Sequence, residues 1–320
     1  MRKVILLLII FFPLTIFAQF KSSKSKVFKR SFTNRRNQPR KEYILGIGGA
    51  NFLGDVGGAP KIGTHFARDF NFSATRPSFA LGVRYKPTSR IGIKGGFYYQ
   101  MVSGSDKLTT EPFRNNRNLS FRTSIYELSV QTEFFLMKEQ QGHKYNIKNA
   151  KGMKSFDMQH YIFVGIGGFY FNPKAKYNGN WVSLQPLGTE GQGLPGGGKK
   201  YSRLSICIPY GIGTKYMVAK DWAVGLELGI RKTFTDYIDD VSTVYYDNKV
   251  LLEARGEMAA ALADPSLLKY PEKLGGNNAG VTQTAAGQQR GEPKYKDTYM
   301  FINATVSYKV PYRRRTRSKF

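Results

Sequence analysis

Asp221-Trp-Ala-Val-Gly-Leu-Glu-Leu-Gly-Ile-Arg-Lys-Thr-Phe234 sorts its residues onto two faces. Trp222, Val224, Leu226, Leu228, Ile230 and Phe234 share one parity, and Ala223, Gly225, Glu227, Gly229, Arg231 and Thr233 share the other. Successive side chains of a strand point to opposite sides, so the segment predicts a strand with one bulky apolar face and one small, polar or charged face. A soluble barrel would turn the bulky face inward. Here the residues suited to an interior are Gly, Glu and Arg, and the bulky parity suits lipid. The stretch is also long enough to cross a bilayer, which takes about 9–11 tilted residues. The pattern predicts an outer-membrane β-barrel.

Seven further segments carry strand signals: Tyr43–Asn51, Ser78–Lys86, Ile91–Val102, Phe121–Met137, His160–Phe171, Arg203–Val218 and Thr298–Val310. Outward positions include Tyr43, Leu45 and Ile47 in the first, and Tyr126, Leu128 and Val130 in the fourth. The two parities of His160–Phe171 are too similar to assign. The expected fold is all-β: an eight-stranded antiparallel transmembrane barrel with long extracellular loops and basic periplasmic tails. Tight turns follow the second and sixth strands, and long segments follow the first, third, fifth and seventh. Short turns mark the periplasmic side of such barrels, and an even strand count puts both tails there. Lys138–Gln159 breaks the alternation as a long, Lys-rich connection on that side, read either as a solvated insertion or as a docking element.

An eight-stranded interior is just wide enough for side chains to fill. The inward parities place Glu127, Glu133 and Glu227 against Arg84, Lys94, Lys215 and Arg231. Isolated buried charges are costly, so these are expected to pair and plug the lumen, making the barrel a structural post and not a pore. The runs Gly46-Ile-Gly-Gly49 and Gly165-Ile-Gly-Gly168 are expected to serve the same crowded interior.

The remaining chain divides by composition. Met1-Arg2-Lys3, an apolar run to Phe17 and the small residue Ala18 read as a signal peptide over residues 1–18. Residues 19–42 form a basic tail, 43–310 the barrel, and 311–320 a second basic tail. These ends hold much of the excess of 49 Lys and Arg over 22 Asp and Glu that makes the net charge +27. An exported chain meets no genome, so acidic proteins or anionic lipid are the expected partners, unless the tails are simply solvated. A mean hydropathy of −0.39 is compatible with a membrane barrel, because only alternate strand residues face lipid. The lone Cys207 forms no internal disulfide. The stretch from Gly275 through the Ala- and Gln-rich segment to Gln289 has the composition of a loop without fixed structure.

Little in the chain reads as catalytic. His65, His143 and His160 sit in no nucleophile motif, no His/Cys cluster has metal spacing, and no Walker lysine follows a glycine run. Asp236, Asp239 and Asp240 either bind a cation or form a solvated acidic loop. A non-enzymatic protein without cofactor, metal or small-molecule substrate is expected.

Two loop motifs remain. One runs from Gly168 through Asn172, Pro173 and Trp181 to Gln185, Pro186 and Gly193; the other is Thr235-Asp-Tyr-Ile-Asp-Asp-Val-Ser-Thr-Val-Tyr245, with Asp236, Tyr237, Asp239 and Asp240 at its heart. Together with Gly54-Asp55 and Tyr299-Met-Phe-Ile-Asn303, the chain from about Glu42 to Val310 resembles the PorG family of outer-membrane barrels of the type IX secretion system. The resemblance implies association with a periplasmic ring of PorK and PorN type, in a machine that exports proteins and in some bacteria supports gliding. A surface adhesin or ligand receptor acting through the external loops is the alternative class.

Overall fold

The computed structural model describes residues 40–56, 74–109, 111–137, 158–219, 221–267 and 283–310. Nine strands are present among them: β1 Arg40–Leu53, β2 Arg76–Lys86, β3 Ile91–Ser105, β4 Ser120–Phe135, β5 Met158–Tyr177, β6 Asn180–Ser183, β7 Leu204–Met217, β8 Trp222–Thr233 and β9 Thr298–Lys309. Eight close a ring in the order β1-β2-β3-β4-β5-β7-β8-β9, every neighbour antiparallel, with β9 returning to β1. The expected eight-stranded barrel is therefore the observed one. β6 stands outside the ring and pairs with the far end of β5.

Alternation fixes the wall. Tyr43, Leu45, Leu81, Val83, Leu128, Val130, Ile166, Ile206 and Leu226 are exposed on the outside, while Glu42, Arg84, Lys94, Glu127, Gln131 and Glu227 are buried inside. Leu128 is 68% exposed and its neighbour Glu127 is 0% exposed. One step in register reverses apolar wall and polar lumen, so the pairing is strongly specified. Tyr43, Trp222 and Tyr308 mark the terminal end of the wall, and Phe79, Tyr99, Tyr126 and Tyr170 the loop end. An apolar band between two aromatic girdles is the outer signature of a transmembrane barrel. Among the described residues no helix is long and apolar enough to cross a membrane.

Several expectations change. β1 begins at Arg40, so Lys41 and Glu42 belong to the barrel and not to a tail. β5 runs six residues past Phe171 and turns at Asn178 and Gly179, both at positive φ, into β6. Two left-handed residues make the hairpin turn whose twist matches flanking strands, and Asn-Gly is its best sequence. Its unreadable parity resolves with Ile162, Val164 and Ile166 outward and Tyr161, Phe163, Phe169 and Phe171 inward. Of the glycines, Gly165 meets the crowding expected, since a Cβ there would lie 2.2 Å from the Val130 carbonyl oxygen; Gly168 faces outward with open space. The last long loop contains helices over Asn248–Arg255 and Glu257–Ala263, while residues 275–282 of the stretch expected without fixed structure lie outside the described residues. The two basic tails beyond residues 40 and 310, His65, His143 and nearly all of Lys138–Gln159 lie outside the described residues.

Placing a charge on the middle of the wall tests its exposure to lipid. Leu128→Arg is expected to destabilise the barrel by about 2–4 kcal/mol in bilayers, measured by urea titration in lipid vesicles. A soluble barrel would lose almost nothing at so exposed a position.

Candidate functional site

The lumen is occupied by side chains from all eight ring strands. Near the terminal end, Arg84 Nη1 donates to Glu42 at 3.0 Å and Nη2 to Glu133 at 2.8 Å, with Nε on the other Glu133 oxygen. Lys215 Nζ lies 2.5 Å from the same Glu42 oxygen. Lys94 Nζ bridges Glu227, at 2.7 Å, and Glu133, at 3.7 Å, while the Tyr161 hydroxyl donates to Glu227 at 2.9 Å. Nearer the loops, Arg231 Nε donates to Glu127 at 2.9 Å, joined by the Tyr299 hydroxyl at 3.1 Å. The Arg231 guanidinium lies 4.8 Å from the Tyr98 ring centroid and 4.5 Å from that of Phe301. All seven expected lumen residues are brought together in this stack. Glu42 is the member missed, although it shares the inward parity of Gly46 and Gly48.

Above Arg231 the chain closes the mouth. Ile238 is fully buried and packs with Val56, Phe121, Ile125, Phe171 and Phe301. Its backbone is held on both sides: Ile238 N–H donates to Asp297 at 2.8 Å, and its carbonyl accepts from the Thr123 hydroxyl at 2.6 Å. Asp239 accepts from the amides of Val56 and Val241, both at 3.1 Å. Asp240, at φ 65, accepts from Thr189 at 2.6 Å and Tyr201 at 2.5 Å, and Asp236 accepts from Ser242 at 2.7 Å. Burial, the nearness of Asp297 and Asp55, and few compensating donors push the Asp239 carboxyl well above the usual range. Asp297 is pushed up likewise, and Asp236 and Asp240 rise to about 6, in each case chiefly through burial.

The surrounding loops meet on these groups. Arg117, on a short helix Pro112–Arg117, pairs with Asp106 at 2.8 Å and donates to the carbonyls of Arg290 at 2.7 Å and Asp55 at 2.8 Å. Arg290 in turn reaches Glu190 at 3.1 Å and the Asp240 carbonyl at 2.7 Å. Glu190 accepts from the Ser242 amide at 2.9 Å and the Thr243 hydroxyl at 2.7 Å. The solvated acidic loop is therefore a buried hub, a correction to the expectation for Asp236, Asp239 and Asp240. Apart from Asp236 Oδ1, their oxygens are turned to amides and hydroxyls, and among the described residues no group of three His, Cys, Asp or Glu is placed to hold a metal.

The other loop motif frames the same end. Tyr237 stacks on Tyr201 at 4.4 Å, and Gln185 Nε2 donates to the Tyr201 carbonyl at 3.1 Å. Asn172 donates to Ser183 at 3.1 Å, the Pro173 carbonyl accepts from Leu184, and the Pro186 carbonyl accepts from Arg255. Trp181 stays on the outside, 46% exposed. Asp106, Arg117, Arg290 and Asp297 were not anticipated. Local pattern carries no sign of them, because their partners lie from 11 to 173 residues away in the chain.

Apolar wall, paired-charge lumen and knotted loop cap define a β-barrel of the outer-membrane type. The chain belongs to the family "Domain of unknown function (DUF6089)", whose model matches residues 26–252. No curated protein sequence matches it. Among solved structures it is similar to Ail, the attachment invasion locus protein of Yersinia pestis, at 8% identity over 85% of this chain and 99% of that one, TM-score 0.37. It is also similar to the outer membrane protein OprG of Pseudomonas aeruginosa, at 9% identity over 87% and 99%, TM-score 0.34. The N-terminal β-barrel domain of OprF from the same organism matches at 7% identity over 85% and 100%, TM-score 0.33. These likenesses carry no residue and no activity to the chain.

Removing one partner of a buried ion pair strands the other. Arg231→Met is expected to cost about 3–5 kcal/mol, and adding Glu127→Leu to recover much of it, measured by denaturant unfolding in detergent. Equal loss in the double variant would mean that packing, not charge, makes the site. The cap has a pH dependence of defined sign. A carboxyl raised to about 6 in the folded state, as in Asp240, stabilises most fully below its unfolded value and loses that contribution as pH rises through about 6. Amide protection over residues 236–243, corrected for intrinsic exchange, is expected to fall from about pH 5 to about pH 7.5. Asp240→Asn, neutral throughout, should flatten that fall; an unchanged profile would assign it to other groups.

Proposed function

We propose that the protein is a non-enzymatic outer-membrane component of a type IX secretion machine, which anchors or assembles a periplasmic ring of the PorK and PorN type. The observation that carries this reading is the filled lumen. Ion pairs from Glu42 to Arg231 and the inserted Ile238 leave the barrel interior to side chains, which favours a fixed anchor over a conduit for cargo. The PorG-like loop motifs meet in one cap, in keeping with a shared architecture.

In this reading the end carrying both termini faces the periplasm and the four capped loops face outward. The chain enters β1 and leaves β9 at the same end, where the turn between β2 and β3 is short and is tied by Thr88 to the amides of Arg90 and Ile91. The basic residues of both tails and of Lys138–Gln159 would then face the ring. Their charge suits acidic protein or anionic lipid. No cofactor, metal or small-molecule substrate enters the proposal.

Tagged protein drawn from outer membranes in mild detergent should co-purify with ring proteins in fixed stoichiometry, identified by mass spectrometry. A monomeric barrel without partners after cross-linking would overturn the proposal and favour an adhesin or receptor acting through the capped loops. Deleting residues 311–320 is expected to weaken ring recovery without changing barrel folding.

A further inference from the structure

The outer face of the loop end carries a surface that neither the lumen nor the cap uses. Phe79, Tyr99, Tyr126 and Tyr170 stand side by side on β2, β3, β4 and β5, in direct register, with ring centroids 6.2, 5.2 and 6.4 Å apart. Such a row marks the membrane–water interface. Four residues further toward the loops, on the same outward parity, Arg122 of β4 lies directly opposite Lys174 of β5. Lys176 follows on β5, opposite Trp181 of β6, and the Arg122 guanidinium lies 5.2 Å from the Trp181 ring centroid. Arg203 sits 5.6 Å from the Tyr170 ring centroid.

Like charges directly opposed on a sheet repel. Among the described residues, no carboxylate forms an ion pair with Arg122, Lys174, Lys176 or Arg203. Beside them lies a hollow of about 470 Å³, with Met101, Phe121 and Trp181 as apolar walls and Ser103, Arg76 and Arg122 as polar lining. Four strand residues at about 3.3 Å each, tilted by about 40°, put Arg122 and Lys174 roughly 10 Å beyond the aromatic row, and six put Lys176 roughly 15 Å beyond it. The headgroup layer begins at that row and is about 5–8 Å deep on each side, so the backbone at Arg122 and Lys174 stands just beyond its outer margin. From that margin, long cationic side chains reach the headgroups by laying their stems back along apolar surface.

We propose that Arg122, Lys174, Lys176 and Trp181 form a docking surface for a phosphate-bearing lipid headgroup, with the hollow beside them receiving its apolar or sugar portion. The facing of the cations sets the source. They continue the lipid-exposed wall and do not point into the loop cap, so a lipid in the surrounding leaflet reaches them first. The inference rests on the membrane-spanning reading of the barrel and is independent of any ring partner.

Folded full-length protein in phosphatidylcholine nanodiscs doped with diphosphorylated lipid A tests this, with retained lipid counted by native mass spectrometry. Lipid A is expected to be enriched about tenfold over its share of the bilayer. Changing Arg122→Gln, Lys174→Gln and Lys176→Gln together should reduce the enrichment to about twofold or less. Lys199→Gln, Lys249→Gln and Lys294→Gln, on exposed loop lysines elsewhere, should leave it intact. Heat-dependent gel mobility confirms folding, and Lys176→Gln alone, at an exposed edge, should give an intermediate loss if the triple variant does not fold. Absence of enrichment, equal loss in both triple variants, or displacement of the lipid by millimolar inorganic phosphate would overturn the proposal.

Discussion

The bidentate pairing of Arg84 with Glu133, shared with Glu42, is the constraint on which the rest of the barrel depends. Eight strands enclose too little space for water to solvate several charges. Glu42, Arg84, Lys94, Glu133, Lys215 and Glu227 therefore pair in a continuous network contributed by β1, β2, β3, β4, β7 and β8. A network of that kind is weak as a source of net stability, since desolvation offsets much of the attraction. Its strength lies in discrimination. A slip of one residue in any of those strands would send a charge into lipid and a bulky apolar side chain into the lumen.

A lumen built in this way moves function to the two ends. At the loop end the principle is different. Asp236, Asp239, Asp240 and Asp297 are buried where few cations reach them, and backbone amides and hydroxyls supply most of their partners. Arg117 and Arg290 contribute the positive charge, and each also donates to a backbone carbonyl, Arg117 to that of Arg290 in another loop and Arg290 to that of Asp240 across its own. The cap is thus a set of loops fastened by side chain to main chain, which holds backbone conformation as well as position. Asp240 in the left-handed region belongs to the same device: Asp tolerates that conformation better than most residues, and its carboxylate is aimed at Thr189 and Tyr201.

The strands were legible because lipid outside and charge inside make period-two alternation a strong signal. β8 shows it over its whole length, with Trp222, Val224 and Leu226 outward and Ala223 and Glu227 inward. β5 was not legible in parity, since its inner face carries Tyr161, Phe163, Phe169 and Phe171 and is as apolar as its outer one. Glu42 was hidden by its basic neighbours, although parity alone places it inside. The cap could not be read, because its bonds join residues far apart: the Val56 amide meets Asp239 across 183 residues. Three aspartates in five residues look like a solvated turn until the partners arriving from other loops are known. The Asn178-Gly179 hairpin was within reach of sequence rules and lengthens β5 toward Trp181.

That extension carries the loop-end structure onto the outer wall. Because β5 continues past the membrane interface and β6 folds back on it, Trp181 is carried beside Arg122 and not into the cap. The outer wall thereby carries a cationic and aromatic ledge across β4, β5 and β6. A barrel with uniform girdles is free to rotate about its axis in the membrane plane. One with a headgroup-binding ledge on a single side has a preferred lipid neighbour there, and the opposite wall is left for a different contact. If the barrel acts as the proposed anchor, such asymmetry would resist tilt as well as rotation. In that reading the plugged lumen and the ledge would act together: an interior that fixes the wall rigidly would let an external feature on three adjacent strands orient the molecule.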